Sequence, residues 1–141
     1  MRIAVIDGQG GGIGKHIIEK LRKVFSENVE IIALGTNALA TLQMIKAGAN
    51  EGASGENAIV NTVRKVDYII GNISIVIPNS MLGELTPKMA EAISESGAKK
   101  FLIPLLKDDF VLIGVSDEPL PHLIDELVHR LKAELGDEKN V

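Results

Sequence analysis

The stretch "RIAVIDGQGGGIGKH" (residues 2–16) decides the fold. It opens on an apolar, β-branched run, the pattern of a strand buried on both faces. Five glycines then fall within the ten positions 7–16. Beyond them Ile13, Ile17, Ile18, Leu21 and Phe25 recur at helical spacing, with His16, Glu19, Lys20 and Lys23 elsewhere on the helix. Strand, glycine turn and helix make the first half of a βαβ unit. A backbone so rich in glycine loses much conformational entropy on ordering, so its retention asks what approaches it closely.

The pattern repeats along the chain. "VEIIAL" (29–34) reads as a second buried strand, followed by the loop "GTN" (35–37) and a helix from about Ala38 to Gly48. "ANEGA" (49–53) reads as a short edge strand, with Ser54 capping a helix to about Arg64. "VDYIIG" (66–71) is a further buried strand, and Thr86-Pro87 marks a helix start, running to about Ser96 with Gly97 closing it. "KFLIPLL" (100–106) and "FVLIGV" (110–115) flank Lys107-Asp108-Asp109 and read as a hairpin whose acidic residues serve the turn. A last helix begins near Pro119, carries an apolar stripe from Leu120 to Leu135, and gives way to a frayed "GDEKNV". Alternating strands and helices predict a single Rossmann-like α/β domain over residues 1–141, a three-layer sandwich. Its doubly wound, mostly parallel sheet has the order 3-2-1-4-5 and a final antiparallel strand. Ligands of such folds bind at the carboxyl ends of the strands where the order reverses, and the glycine loop lies there.

Composition narrows the partners. With 15 Lys and Arg against 19 Asp and Glu, and no basic block, the chain lacks the clustered cations of a nucleic-acid binder. The absence of cysteine excludes disulfides, thiolate zinc and iron–sulfur sites. The longest apolar run, "YIIGNISIVIP" (68–78), is too short to enter a membrane as a span, and no signal segment is visible, so a cytoplasmic protein is expected. A core this aliphatic in a small domain favours a homo-oligomer, in the simplest case a homodimer.

The glycine loop admits three registers. A mononucleotide P-loop needs glycine at position 9 and Ser or Thr at position 16, where Gln9 and His16 stand. The strict Gly-x-Gly-x-x-Gly fingerprint fails whether it begins at Gly8 or at Gly10. The looser Gly-x-x-x-Gly-Ile-Gly is satisfied by Gly8, Gly12, Ile13 and Gly14, and it resembles the first turn of the short-chain dehydrogenase/reductase superfamily. "AGANEGASGENAIVNTVRKVDYIIGN" (47–72) resembles the block that follows there, ending on a strand whose Gly71 and Asn72 would sit beside the cofactor. The resemblance implies NAD or NADP bound by Gly8, Gln9, Gly10, Gly11, Gly12, Ile13, Gly14, Thr36, Asn37, Gly71 and Asn72. In this register Gly8 permits the turn, Gly12 lets the pyrophosphate approach, and Gly14 lets the helix pack closely, while Gly10 and Gly11 have no assigned job. The helix N-terminus faces the anion. The competing reading is a turn kept for strand–helix packing alone.

Several residues depart from that pattern. Asp7 replaces the superfamily's threonine and sets a carboxylate near the phosphate position; it can accept backbone N–H bonds, bridge through a metal or bind a ribose hydroxyl. The end of the second strand carries Gly35, Thr36 and Asn37 rather than an acid, so NAD and NADP are not distinguished, and Thr36 and Asn37 serve either a ribose or a 2′-phosphate of the ligand, or a helix cap. The superfamily's catalytic Tyr-x-x-x-Lys is missing: the single tyrosine, Tyr68, lies in a strand and position 72 is Asn, so no catalytic residue carries over. After the fourth strand, Asn79, Ser80 and Glu84 are candidate ligand or substrate contacts, set against a loop that satisfies its own backbone. His122, Glu126 and His129 share a side of the last helix, but without a fourth ligand they read as a solvated border, and no metal is expected.

Over nearly its full length, in "MRIAVIDGQGGGIGK", "IIALGTNALAT", "GENAIV" and "NSMLGELTPKMAEAI", the chain also resembles a small bacterial family of Rossmann-like proteins of no assigned function. The expected function is therefore a nucleotide-binding sensor or regulator without redox catalysis, its ligand NAD or NADP, comparable in architecture to the nucleotide-binding domains of potassium-transport regulators. Two alternatives stand beside it. One is a small enzyme using Asp7, Asn79, Ser80 and Glu84 on a nucleotide or phosphorylated metabolite. The other is an oligomeric interaction protein that binds no ligand.

Overall fold

A computed structural model describes residues 1–107 and 109–139, with the side chains of 137–139 left aside; Asp108 of the expected turn and the last two tail residues lie outside the described residues. Five strands, β1 (Arg2–Asp7), β2 (Glu30–Gly35), β3 (Glu51–Ser54), β4 (Tyr68–Asn72) and β5 (Lys99–Ile103), form one parallel sheet in the order β3-β2-β1-β4-β5. Among the described residues five α-helices connect and cover them: α1 (Gly12–Phe25), α2 (Ala38–Ala47), α3 (Glu56–Thr62), α4 (Pro87–Glu95) and α5 (Leu120–Lys139). The predicted order holds. Chain direction reverses its sense of winding between β1 and β4, so the crevice of the fold opens at the ends of those two strands.

The near-continuous apolar runs of β1, β2 and β4 follow from burial on both faces. One face carries Ile3, Val5, Ile31, Ala33 and Ile70 against Ile17, Ile18 and Leu21 of α1, Met44 of α2 and Ile124, Val128 and Leu131 of α5. The other carries Ala4, Ile6, Ile32, Leu34 and Ile69 against Ile59 of α3 and Met89 and Ile93 of α4. Consecutive residues of β1 thus feed opposite cores.

Local signals also place the helix ends. Asn37 accepts the Ala40 N–H and caps α2; Thr86 accepts the Met89 N–H and caps α4, with Pro87 at the first helical position. Gly55, not Ser54, precedes α3, because the Ser54 hydroxyl is paired at 2.7 Å with that of Thr41 on α2. Residues 136–139, read as a frayed tail, continue α5.

The final antiparallel strand is not formed. Strand β5 ends at Ile103, before Pro104, and Leu105 is then drawn aside: its N–H donates to Asn72 Oδ1 (3.0 Å) and its carbonyl accepts from Asn72 Nδ2 (2.7 Å). Gly114 turns the backbone at φ 87°. Segment 110–115 has strand-like composition but no ladder partner among the described residues, and Val111 and Ile113 are 79% and 92% exposed. No helix among the described residues is long and apolar enough to cross a membrane.

Candidate functional site

The glycine loop joins β1 to α1, and its five glycines divide by burial. Gly8, Gly11 and Gly14 are buried; Gly10 and Gly12 are exposed. A Cβ on Gly8 would stand 2.5 Å from both Met81 Sδ and Thr36 Oγ1, so this glycine lets the 79–84 segment lie on the loop. A Cβ on Gly14 would press Met44 and the Cβ of Asp7, as expected for close packing of α1 on the sheet. Gly11, surplus to the Gly-x-x-x-Gly-Ile-Gly spacing, has a job of its own: it precedes α1 at φ 76°, and a Cβ there would meet the Ala40 Cα at 2.8 Å. Nothing lies within 4 Å of the Cβ position of Gly10 or Gly12, neither has a positive φ, and their N–H groups have no partner among the described residues.

Asp7 closes β1 with its carboxylate turned into the start of α1. Oδ1 accepts the Gly8 N–H at 2.8 Å and Oδ2 the Gly14 N–H at 2.7 Å. The side chain thus behaves as an internal anion at the helix N-terminus. Burial pushes its carboxyl above the ordinary carboxylate range, a rise opposed by the N–H groups of Gly14, Gly8 and Ile13 and reinforced by the charge of Glu84.

The other candidates fall into two groups. Asp7, Gln9, Ile13, Asn72, Asn79 and Ser80 line a cavity of about 640 Å³ at the ends of β1 and β4, bounded on its far side by Leu105, Leu106, Lys107, Asp109 and Phe110. Such a volume is within the range of small-molecule sites. Its polar side chains are partly committed: Asn72 pins Leu105, and the Ser80 hydroxyl donates to the Ser74 carbonyl at 2.6 Å. Gly71 lies behind it, where a Cβ would press the Ile6 carbonyl of β1 at 2.8 Å.

Thr36, Asn37 and Glu84 form the second group, on the β2 side of the loop. Glu84 Oε1 accepts from Thr36 Oγ1 (2.6 Å), Asn37 Nδ2 (2.8 Å) and the Gln9 N–H (2.9 Å). The Thr36 hydroxyl, then the Gln9 N–H and the Asn37 amide, hold this carboxyl below its ordinary range. An acid therefore does sit beside the end of β2, supplied from residue 84. The spacing of residues 35–37 gives no sign of it, because the partner is distant in sequence. The 79–84 segment that carries it is unusual: Asn79, Met81 and Leu82 have φ of 65°, 59° and 57°, and Gly83 of 89°. Among the described residues no group of three or more His, Asp or Glu is placed to hold a metal ion.

Sheet order, two-faced helix packing and a cleft at the reversal point define a Rossmann-like α/β protein. Residues 2–136 match the family model described as Domain of unknown function (DUF3842), and the chain belongs to that family. No curated protein matches the chain. Among solved structures it is similar to the dodecameric FMN-dependent UbiX-like decarboxylase from Escherichia coli O157:H7. The two are 14% identical over 96% of this chain and 94% of that one, with a TM-score of 0.44.

Proposed function

We propose that this protein binds a nucleotide at the carboxyl edge of its sheet, with phosphate over Gly10 and Gly12 and the remainder in the cavity between β1 and β4. Gly10 and Gly12 carry this reading. The fold does not require either to be glycine, yet both are, and their N–H groups, without partners among the described residues, stand beside Gln9 and Ile13 of the cavity wall. A dinucleotide, NAD or NADP, is the proposed ligand, held as a signal rather than turned over. An adenosine ribose would reach toward Thr36 and Asn37. The catalytic alternative has less support, since the Ser80 hydroxyl and the Glu84 carboxylate are both engaged within the protein.

Thermal unfolding with NAD, NADP, FMN, ATP and GTP tests the reading. A ligand at about 100 times its dissociation constant stabilises by roughly 2.7 kcal/mol. A rise in Tm with NAD or NADP supports a dinucleotide; a rise with FMN, ATP or GTP alone supports nucleotide binding but removes the dinucleotide; no rise with any of them refutes the proposal. Turnover of the bound compound would replace the sensor reading with the enzyme one.

We also propose that the protein acts as a homodimer, with the apolar segment 110–115 at the contact. Strand β5 is an edge strand, and the exposed side chains of Phe110, Val111, Ile113 and Val115 follow it in the chain.

A further inference from the structure

We propose that the Gln9 N–H, the Thr36 hydroxyl and the Asn37 side-chain amide form a phosphate subsite, which Glu84 fills as a stand-in and which a phosphorylated ligand enters by displacing it. The inference rests on the nucleotide reading above and adds to it a second anchoring point and a gate.

Three donors from two different loops converge on a single oxygen, Glu84 Oε1. Convergence of donors on one oxygen is the geometry of an oxyanion site. The donors are the fixed partners. Asn37 Oδ1 is spent on the Ala40 N–H at the cap of α2, which turns the Nδ2 toward the site, and Nδ2 is further anchored on the Gln9 carbonyl at 3.0 Å. The Thr36 N–H is tied to the Asp7 carbonyl at 3.0 Å, continuing the β1–β2 pairing.

The acceptor is the movable partner. Glu84 ends a segment in which Asn79, Met81 and Leu82 occupy the left-handed region, disfavoured for Met and Leu side chains, and Leu82 is 88% exposed. That segment is held to the glycine loop by Glu84 and by Met81 over Gly8. A phosphate oxygen satisfies the same three donors and releases the carboxylate from the neighbourhood of Asp7. Because residues 78–82 also form one wall of the cavity, release of Glu84 couples occupancy of the subsite to the shape of the cavity.

Amide spectra of 15N-labelled protein test this in wild type, Glu84→Gln and Glu84→Ala, titrated with inorganic pyrophosphate and then with NAD and NADP. Removing the internal competitor raises the fraction of open subsite, so the Gln9 N–H and Asn37 side-chain signals of Glu84→Ala should respond at about tenfold lower pyrophosphate than in wild type. Glu84→Gln, which keeps the shape and loses the charge, should fall between them, and adding Thr36→Val to Glu84→Ala should reverse the gain. A stronger response to NADP than to NAD assigns the subsite to a ribose phosphate; equal responses assign it to the pyrophosphate itself. If Asn72 and Asn79 respond to nucleotide while Gln9 and Asn37 respond no more readily in Glu84→Ala than in wild type, the subsite is refuted and nucleotide binding stands. If no signal moves with any of these ligands in any variant, the subsite and the dinucleotide both fall, and the thermal series with FMN, ATP and GTP decides nucleotide binding.

Discussion

Asp7 and Gly14 are joined across the start of α1 by a 2.7 Å hydrogen bond from the Gly14 N–H to Asp7 Oδ2. The last residue of the first strand thereby ties down the first turn of the first helix, with its other oxygen on the Gly8 N–H. An anion so placed gains from the helix dipole and loses from burial.

Replacing Asp7 with Asn keeps one acceptor but sets an amide N–H against a backbone N–H, so we expect a loss of about 1–3 kcal/mol. The pH dependence follows from the raised carboxyl. In the interval above the ordinary carboxylate range the folded protein holds a proton that the unfolded chain has released, so the stability contributed by Asp7 falls as pH rises through its folded pKa. The deficit of Asp7→Asn relative to wild type should therefore be widest in acid and narrow toward neutrality. Urea unfolding of both proteins across that range checks this; a deficit that grows with pH would contradict it.

Glu84 has the opposite sign. Its carboxyl is held low, so its stabilising contribution is full above the ordinary glutamate range and is lost as pH falls through the folded value. Glu84→Gln should match wild type in acid and trail it at neutral pH. The same unfolding series reads this difference, and parallel curves at all pH values would show that the Thr36 and Asn37 bonds do not depend on charge.

Much of the architecture is legible in the sequence because it rests on local signals. The apolar runs of β1, β2 and β4 and the caps at Asn37 and Thr86 are short-range patterns, and the right-handed crossover rule then leaves few strand orders. The 110–115 segment misleads for the same reason: its composition is that of a strand, while the chain leading to it leaves β5 at Leu105, whose N–H and carbonyl are taken by the side chain of Asn72, far away in sequence. The site divides likewise. Glycine spacing locates the loop and the cavity beside it, and Asp7 can be singled out as unusual. The Glu84 contact with Thr36 and Asn37 spans 48 and 47 residues and leaves no mark in either local stretch. The job of Gly11 depends on the backbone of Ala40, which no spacing rule within the loop registers.

The glycines should separate stability from binding. Gly11→Ala places a Cβ against the Ala40 backbone at a positive φ and should destabilise by about 2 kcal/mol or more. Gly12→Ala, in open space at the first residue of α1, should stabilise the free protein by about 0.4–1 kcal/mol by restricting the unfolded chain. Gly12→Asp should leave the free fold intact and abolish the nucleotide-dependent rise in Tm. A Gly12→Asp protein that binds nucleotide as wild type does would remove phosphate from this loop.

The apolar segment gives a prediction about assembly. Ile113 at 92% and Val111 at 79% exposed are costly side chains to leave in water, and burying each fully is worth about 1.5–3 kcal/mol. If a second copy covers them, light scattering behind a sizing column should report a dimer, and Ile113→Lys with Val111→Lys should convert it to monomer without lowering the unfolding midpoint of the monomeric fold, since these side chains support neither core. A wild-type protein that stays monomeric at high concentration would refute the dimer. A dimer that survives both lysines would place the contact elsewhere on the surface.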